Sequence, residues 1–280
     1  MKKTELPSRF NYAEAYLTLR CNLGCSYCIN DADGVVRQRD EMTGDQWVEA
    51  LNDIDFKGVP ITLGGGEPTM HPDFFQIING VDQPVDLLTN LSFNTAEFID
   101  KVSPDKFSKS EVPFYHPIRV SYHAARMDRP ETIEKMQQLR KAGFNPALFG
   151  LMHPEAINDN MAMAFECNKA DIPFYTKDFL GEIGGHMFGY FKYPKGVDGE
   201  EHTPVQCRTR ELLVAPEGLV YKCHRDLYHA ENPVANIRSS AFEVEDKARV
   251  CSNYGHCNPC DLKAKTNRFL GGIECQVEIN

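Results

Sequence analysis

Two hydrophobic periods alternate along the first two thirds of the chain. Short apolar runs recur at Tyr16–Leu19, Val59–Leu63, Val85–Leu88, Ile118–Tyr122 and Ala147–Met152, and another begins at Ile172–Phe174. Their brevity and β-branched content predict buried strands. Between them apolar residues fall at helical spacing: Trp47, Leu51 and Ile54; Phe74, Ile77 and Ile78; Phe98, Ile99 and Val102; Ile133, Met136 and Leu139; Met161, Ala164 and Phe165. Thr43 with Gln46 forms a capping box and Asn94 with Glu97 an N-cap pair. Pro130 suits a first helical turn, and Gly143 suits the residue after a helix end.

Six strand–helix alternations between about residues 15 and 182 imply a parallel sheet with right-handed crossovers, an α/β fold. The sixth helix is poorly supported, because residues 183–206 are rich in Gly, Pro and charge. The pattern fits a partial (β/α)6 TIM-like barrel or a doubly wound sheet. Both gather ligands at the carboxyl ends of the strands. Beyond residue 206 the pattern changes. Glu211–Lys222 reads as a β-hairpin, two apolar strands flanking a Pro216-Glu217-Gly218 turn. The expected division is a barrel over residues 1–200 and a small cysteine-rich hairpin domain over 201–280.

The 280 residues, 42% of them apolar, suffice for a large core. With 30 basic against 40 acidic residues the net charge is −10, and no dense basic run appears, which weighs against a nucleic-acid partner. The N-terminus lacks the apolar stretch of a signal peptide, and no apolar run is long enough to span a membrane. Ten cysteines in such a chain read as metal ligands in a reducing, cytoplasmic setting rather than as disulfides.

The densest chemistry lies just after the first strand, where Cys21, Cys25, Tyr27 and Cys28 give C-x3-C-x-aromatic-C. Three thiolates can hold three irons of a [4Fe–4S] cube and leave the fourth open, whereas electron-transfer clusters are usually closed by four cysteines. A zinc site would want a fourth ligand at matching spacing. The nearest candidates, Asp31 and Asp33, are poor partners for soft thiolates. The second strand runs into Gly64-Gly65-Gly66-Glu67-Pro68, either a structural turn or a place where backbone approaches a ligand.

The cysteine triad, with the glycine run about 40 residues later, resembles the radical S-adenosylmethionine (SAM) superfamily. The resemblance implies a partial barrel, a SAM-binding [4Fe–4S] cluster on Cys21, Cys25 and Cys28, and reductive cleavage of SAM to a 5′-deoxyadenosyl radical that abstracts a substrate hydrogen atom. Gly64, Gly65, Gly66 and Glu67 are similar to the motif that holds the methionyl amino group. Tyr27, Asn90, Ser121 and His123 occupy positions where the family places further cofactor contacts. Arg126 and Arg129 both qualify to meet the SAM carboxylate.

Six more cysteines follow at 207, 223, 251, 257, 260 and 275. The C-x10-G-x4-C run to Cys223 and the Cys257-x2-Cys260 pair resemble SPASM and twitch extensions, which carry auxiliary [4Fe–4S] clusters. Thr266 breaks the full SPASM run, so one auxiliary cluster fits better, on Cys207, Cys223, Cys257 and Cys260, with Cys251 or Cys275 as possible replacements. A structural zinc site is the alternative. Cys167, among helical Met and Phe, reads as a buried apolar residue. The expected function is SAM-dependent oxidation or rearrangement of a small molecule or peptide, with a flavodoxin- or ferredoxin-type reductant. Lys177, Glu182 and His153 are candidates to meet substrate. A ribosomal-peptide maturase, an activator of a partner enzyme and a non-catalytic electron carrier are the alternatives. No peptide-recognition segment precedes the first strand, which weighs against the maturase.

Overall fold

A computed structural model of the protein describes residues 3–28, 35–109, 114–179, 181–188, 204–252, 265–267, 272–274 and 277–279. The expected alternation is present as strands β1 (Tyr12–Thr18), β2 (Ile61–Gly65), β3 (Val85–Thr89), β4 (Ile118–Tyr122), β5 (Pro146–Met152) and β6 (Phe174–Asp178). Helices α1 (Gly44–Asn52), α2 (Phe74–Gly80), α3 (Thr95–Lys101), α4 (Arg129–Lys141) and α5 (Ile157–Lys169) connect them. The six strands pair in parallel in sequence order.

The helix starts follow the sequence signals. Thr43 and Gln46 make both bonds of the capping box, and Asn94 accepts from the Glu97 N–H. Asp128 caps α4 with Pro130 in its first turn, and Gly143, at φ +89°, lies just past its end.

Strand periodicity splits each strand between two faces. Ala13, Ala15, Leu17, Ile61, Leu63, Val85, Leu87, Ile118 and Val120 join the core under the helices. Glu14, Tyr16, Thr18, Thr62, Asp86, Arg119 and Ser121 alternate with them and occupy the opposite face. Under the helices Phe98 stacks on Phe93 at 4.5 Å and also meets Phe74, Phe107 and Phe144. On the other face the buried Asp86 accepts from Ser108 and Tyr115, with Arg119 at 3.4 Å.

Helix α5 departs from expectation in its face. It buries Asn160, Met163 and Cys167, while Met161 and Phe165 are 64% and 59% exposed. Cys167 is fully buried as expected, and burial pushes its thiol up to about 12. The 3-10 turn Pro154–Ala156, capped by His153, precedes the helix, and Asn160 rather than Met161 turns inward, donating to the Leu151 carbonyl at 2.7 Å.

After β6 the chain forms a hairpin, Gly181–Ile183 with His186–Phe188, rather than a helix, so the described residues hold five of the six expected crossover helices. Strands β7 (Val205–Thr209), β8 (Glu211–Val214) and β9 (Leu219–Tyr221) follow, then helix α6 (His224–His229) and strands β10 (Ala235–Asn236), β11 (Arg249–Cys251) and β12 (Val277–Ile279). The expected hairpin is β8–β9, with Gly218 in its turn at φ +87°. It does not stand apart from the sheet. Strand β8 pairs in parallel with β1, Glu211 opposite Tyr12 and Val214 opposite Ala15, giving a nine-stranded order β10-β9-β8-β1-β2-β3-β4-β5-β6. The reason is that β8 is apolar on both faces. Leu212 and Val214 enter the main core, Leu213 packs with Tyr16, Tyr221 and Leu227, and the strand covers the open edge of β1. None of the described helices is long and apolar enough to cross a membrane.

Candidate active site

The three N-terminal cysteines lie on the loop that leaves the carboxyl end of β1. A turn closes it, the Cys28 N–H donating to the Cys25 carbonyl at 3.0 Å. Residues from other strand ends hold it. Asn90, just after β3, donates its amide to Asn22 Oδ1 at 3.0 Å and lies 3.7 Å from Cys21 Sγ, and Ser92 donates to the same Asn22 oxygen. Arg126, after β4, donates to the Gly24 carbonyl at 3.0 Å. Burial pushes the Cys25 thiol up, and Cys28 and Cys21 add to the rise while Tyr27 and Arg126 oppose it. Arg126 thus joins the cysteine loop at Gly24. This separates two arginines the sequence left equivalent: Arg126 reaches the cysteine loop, whereas Arg129 opens α4 beside Tyr122.

The glycine run is shaped by β1. Gly64 pairs with Tyr16 and Gly65 with Thr18. Gly65 sits at φ +139°, and a Cβ there would lie 2.0 Å from the Thr18 carbonyl oxygen. A Cβ on Gly66 would lie 2.3 Å from the Arg20 oxygen. The N–H groups of Gly66 and Glu67 donate to the Thr18 and Arg20 carbonyls at 2.8 Å each. At Gly65 and Gly66 the close backbone approach is to the first strand and the start of the cysteine loop, which is what a structural turn requires.

Glu67 is fully buried. Its Oε1 accepts from the Thr69 hydroxyl at 2.6 Å and the Thr89 hydroxyl at 2.8 Å, and its Oε2 from the Asn90 N–H at 2.7 Å. Burial pushes its carboxyl up, while these bonds pull it back. The side chain is thus a hub joining the ends of β2 and β3, and through Asn90 it reaches the cysteine loop. Sequence reasoning did not find the bracing pair on the other side. Arg20 donates to both oxygens of Glu41, at 3.0 and 2.8 Å, and Thr18 donates to Glu41 at 2.5 Å. The signal was weak, one acid lying well downstream of the loop.

Tyr27 meets two imidazoles. Its hydroxyl lies 3.0 Å from His123 Nδ1, its ring stacks on His123 with centroids 5.8 Å apart, and the His153 ring centroid is 5.1 Å away. Burial lowers His123 to about 4, and Lys177 adds to the shift, so this imidazole is neutral near pH 7. The structure therefore brings together the ends of β4 and β5 around the aromatic of the cysteine motif. Ser121 is on β4 two residues before His123, on the same strand face. Lys177 is exposed on β6, its ammonium 5.1 Å from the Phe149 ring. Glu182 lies in the short strand opposite Met187.

A second group of thiols forms from separated segments. Cys207 is on β7, Cys223 precedes α6 at the end of β9, and Cys251 ends β11. Strands β7 and β11 are antiparallel, Val205 opposite Cys251 and Cys207 opposite Arg249, which sets Cys207 and Cys251 on a diagonal. Cys223 is buried, and its thiol is pushed well up by burial, with Asp226 and Cys207 adding to the rise. Cys257, Cys260 and Cys275 lie outside the described residues.

Thiols are the soft donors that an iron–sulfur cluster would need. Among the described residues, however, neither group brings three or more such donors close enough to hold a metal ion.

A model of the radical SAM superfamily matches residues 16–166. An AdoMet-dependent heme synthase of Methanosarcina barkeri is 27% identical over 201 residues, covering 67% of this chain and 53% of that protein. The mycofactocin maturase MftC of Mycobacterium tuberculosis is 24% identical over 139 residues, 46% of this chain and 34% of the maturase. The chain thus spans about half or less of the length of these relatives. Among solved structures, anSMEcpe with bound AdoMet superposes with a TM-score of 0.57 at 13% identity, covering 82% of this chain and 78% of that one. Streptococcus suis SuiB bound to its precursor peptide SuiA gives 0.56 at 10% identity, covering 83% and 63%. The fold is shared with both. With more than half its length matched by the family model and a thiol triad at the strand ends, the chain belongs to the radical SAM superfamily, whose members are enzymes that bind a [4Fe–4S] cluster and SAM.

Proposed function

We propose that this protein is a SAM-cleaving enzyme that abstracts a hydrogen atom from a small molecule or peptide and completes its oxidation or rearrangement with one auxiliary [4Fe–4S] cluster. The observation that carries the reading is the braced thiol triad, Cys21, Cys25 and Cys28, at the strand ends. When bound, the cluster and SAM supply the 5′-deoxyadenosyl radical.

The chain's part is to hold, orient and exclude water. Cys21, Cys25 and Cys28 hold the first cluster. Asn90 and Arg126 fix their loop, and Gly65 and Gly66 let the next loop close on it. Tyr27, packed against His123 and His153, is a proposed cofactor contact, and the neutral His123 offers hydrogen bonding without added charge. Ser121, Gly64 and Glu67 complete the proposed SAM contacts, Glu67 through the loop it braces. Lys177 and Glu182 are the proposed substrate-side residues. Cys207 and Cys223 belong to the auxiliary site, with remaining ligands drawn from Cys251, Cys257, Cys260 and Cys275. The reductant would be of flavodoxin or ferredoxin type, in a reducing cytoplasm.

Anaerobic reconstitution followed by SAM and dithionite tests this. Release of 5′-deoxyadenosine by the native chain and none by Cys25→Ala is the expected result. A fully iron-loaded native protein that releases none would make it an electron carrier. A peptide substrate is the favoured variant of the reading, because SuiB was solved on a precursor peptide and anSMEcpe on bound peptides. Incubation with candidate precursor peptides, read by mass shift, checks it.

A further inference from the structure

We propose that Arg119 anchors a carboxylate group of the substrate on the face of the sheet turned away from the helices. This deepens the proposed function by naming the substrate's chemical class, and it rests on that reading.

Arg119 is the second residue of β4, and its neighbours Ile118 and Val120 enter the core under the helices. Its own side chain therefore leaves the opposite face, where it is 21% exposed. Both of its hydrogen bonds come from Nη2, to the Thr62 hydroxyl at 3.3 Å and to Asp86 Oδ2 at 3.4 Å. The buried Nε meets no acceptor among the described residues. Across the strands Arg119 lies opposite Leu88 on β3 and Ala147 on β5, neither of which offers a polar side chain. Two residues beyond Ala147, the Phe149 ring stacks on Tyr175 at 5.2 Å. A guanidinium among apolar and aromatic neighbours is the make-up of a small-ligand site.

A guanidinium whose whole task is to neutralise an acid is usually held by two parallel bonds. Here one nitrogen makes a long contact, and Asp86 Oδ1 already accepts from the Ser108 and Tyr115 hydroxyls. Arg119 thus has donors left to spend, which suit a planar carboxylate. The nearby Asp86 charge opposes a phosphate dianion more than a monoanion. Glu14, the acid on the same face of β1, is three strands away, about 14 Å. His123, which meets Tyr27 of the cysteine motif, is four residues farther along the chain, about 13 Å when extended. An elongated substrate can hold its carboxylate at Arg119 and still reach the motif.

The test uses the full-length, anaerobically reconstituted protein and phenylglyoxal, which modifies accessible guanidinium groups, with mass spectrometry to locate the product. The probes are benzoate, uncharged benzamide, inorganic phosphate and SAM. Arg119 should be modified, and benzoate at about ten times its half-protecting concentration should slow the reaction about tenfold. Benzamide should not protect, phosphate should protect less than benzoate, and the exposed Arg238 should react alike throughout. Arg119→Lys keeps a cation beside Asp86 without the planar fork, so benzoate binding read by saturation-transfer NMR should weaken about tenfold. If that variant does not fold, the labelling of the native chain decides alone. An unreactive Arg119, or one that benzoate does not protect, is an internal counterion and overturns the inference. Protection by SAM alone overturns it by giving the guanidinium to the cofactor, and unchanged benzoate affinity in Arg119→Lys overturns it by placing the anion elsewhere. Release of 5′-deoxyadenosine by the same preparation tests the underlying reading separately. Release without protection strikes the inference alone, whereas protection without release removes the enzymatic reading and the substrate assignment with it.

Discussion

In the first cysteine site all three thiols come from one loop, Cys21 to Cys28; in the second, Cys207, Cys223 and Cys251 arrive from a strand, a hairpin end and another strand. The first is braced from outside itself, by Glu67 and Asn90, by Arg126, and by Arg20 with Glu41. In the second, strand register sets Cys207 and Cys251 on a diagonal. The first keeps its spacing along the chain and needs those braces for its shape, whereas the meeting of Cys207 with Cys251 exists only when the strands pair. The two are also physically tied. Arg39, beyond the first loop, donates to Glu217 in the hairpin turn, to Tyr221 at 2.7 Å and to the Leu227 carbonyl at 2.5 Å, while the Met42 N–H donates to the Pro216 carbonyl.

Single substitutions can break this contrast, and the largest effect is expected at Cys25. Cys25→Ala should reduce 5′-deoxyadenosine release to background while the absorbance of the proposed auxiliary cluster persists. Cys223→Ala should remove roughly half of the bound iron and sulfide if the two-cluster count holds; unchanged iron in that variant would point to zinc or to no cluster there. Arg39→Met leaves the Glu217 and Leu227 oxygens without their cation. Breaking such a buried pair costs about 3–5 kcal/mol, to be read from chemical denaturation, with the proposed C-terminal cluster lost earlier in denaturant than the first. Glu67→Gln keeps the shape but pits an amide against the Asn90 and Thr89 donors, costing about 1–3 kcal/mol and loosening the first site rather than the second.

The smallest effect is a pH dependence. His123 is held below its ordinary value, at about 4, because burial disfavours its charged form. The unfolded chain takes up the proton at about pH 6.5, before the folded one does. The stability contributed by His123 is therefore present above pH 6.5 and lost as pH falls toward 4. Melting temperature should drop over that window, and His123→Asn should flatten part of the drop. The buried His116 is shifted in the same direction, so some slope should remain.

The same contrast explains what was legible in the sequence. The first site could be read directly, since C-x3-C-x2-C and the glycine run are contiguous and their strand context was written in the apolar pattern. Helix starts at Thr43 and Asn94 were equally legible because a cap is a contact between near neighbours. The face of α5 was not, because Met161 and Phe165 have helical spacing yet the turn at Pro154–Ala156 rotates Met163 and Cys167 inward. Nor could the sequence choose Arg126 over Arg129, since only the loop path after β4 delivers one to Gly24. The meeting of Cys251 with Cys207 depends on a register between strands far apart in the chain, which no local pattern encodes. For the same reason the docking of β8 against β1 was unreadable, although the apolar character of Leu212, Leu213 and Val214 was plain.

The proposal that Cys21, Cys25 and Cys28 would hold a cluster with one iron open to SAM is tested most directly by the EPR spectrum of the dithionite-reduced protein before and after SAM labelled with 17O at the carboxylate. A changed g-pattern with hyperfine broadening from the label, absent in Cys25→Ala, is the expected result. An identical spectrum with and without the labelled molecule, in protein whose first cluster is fully loaded, would contradict it.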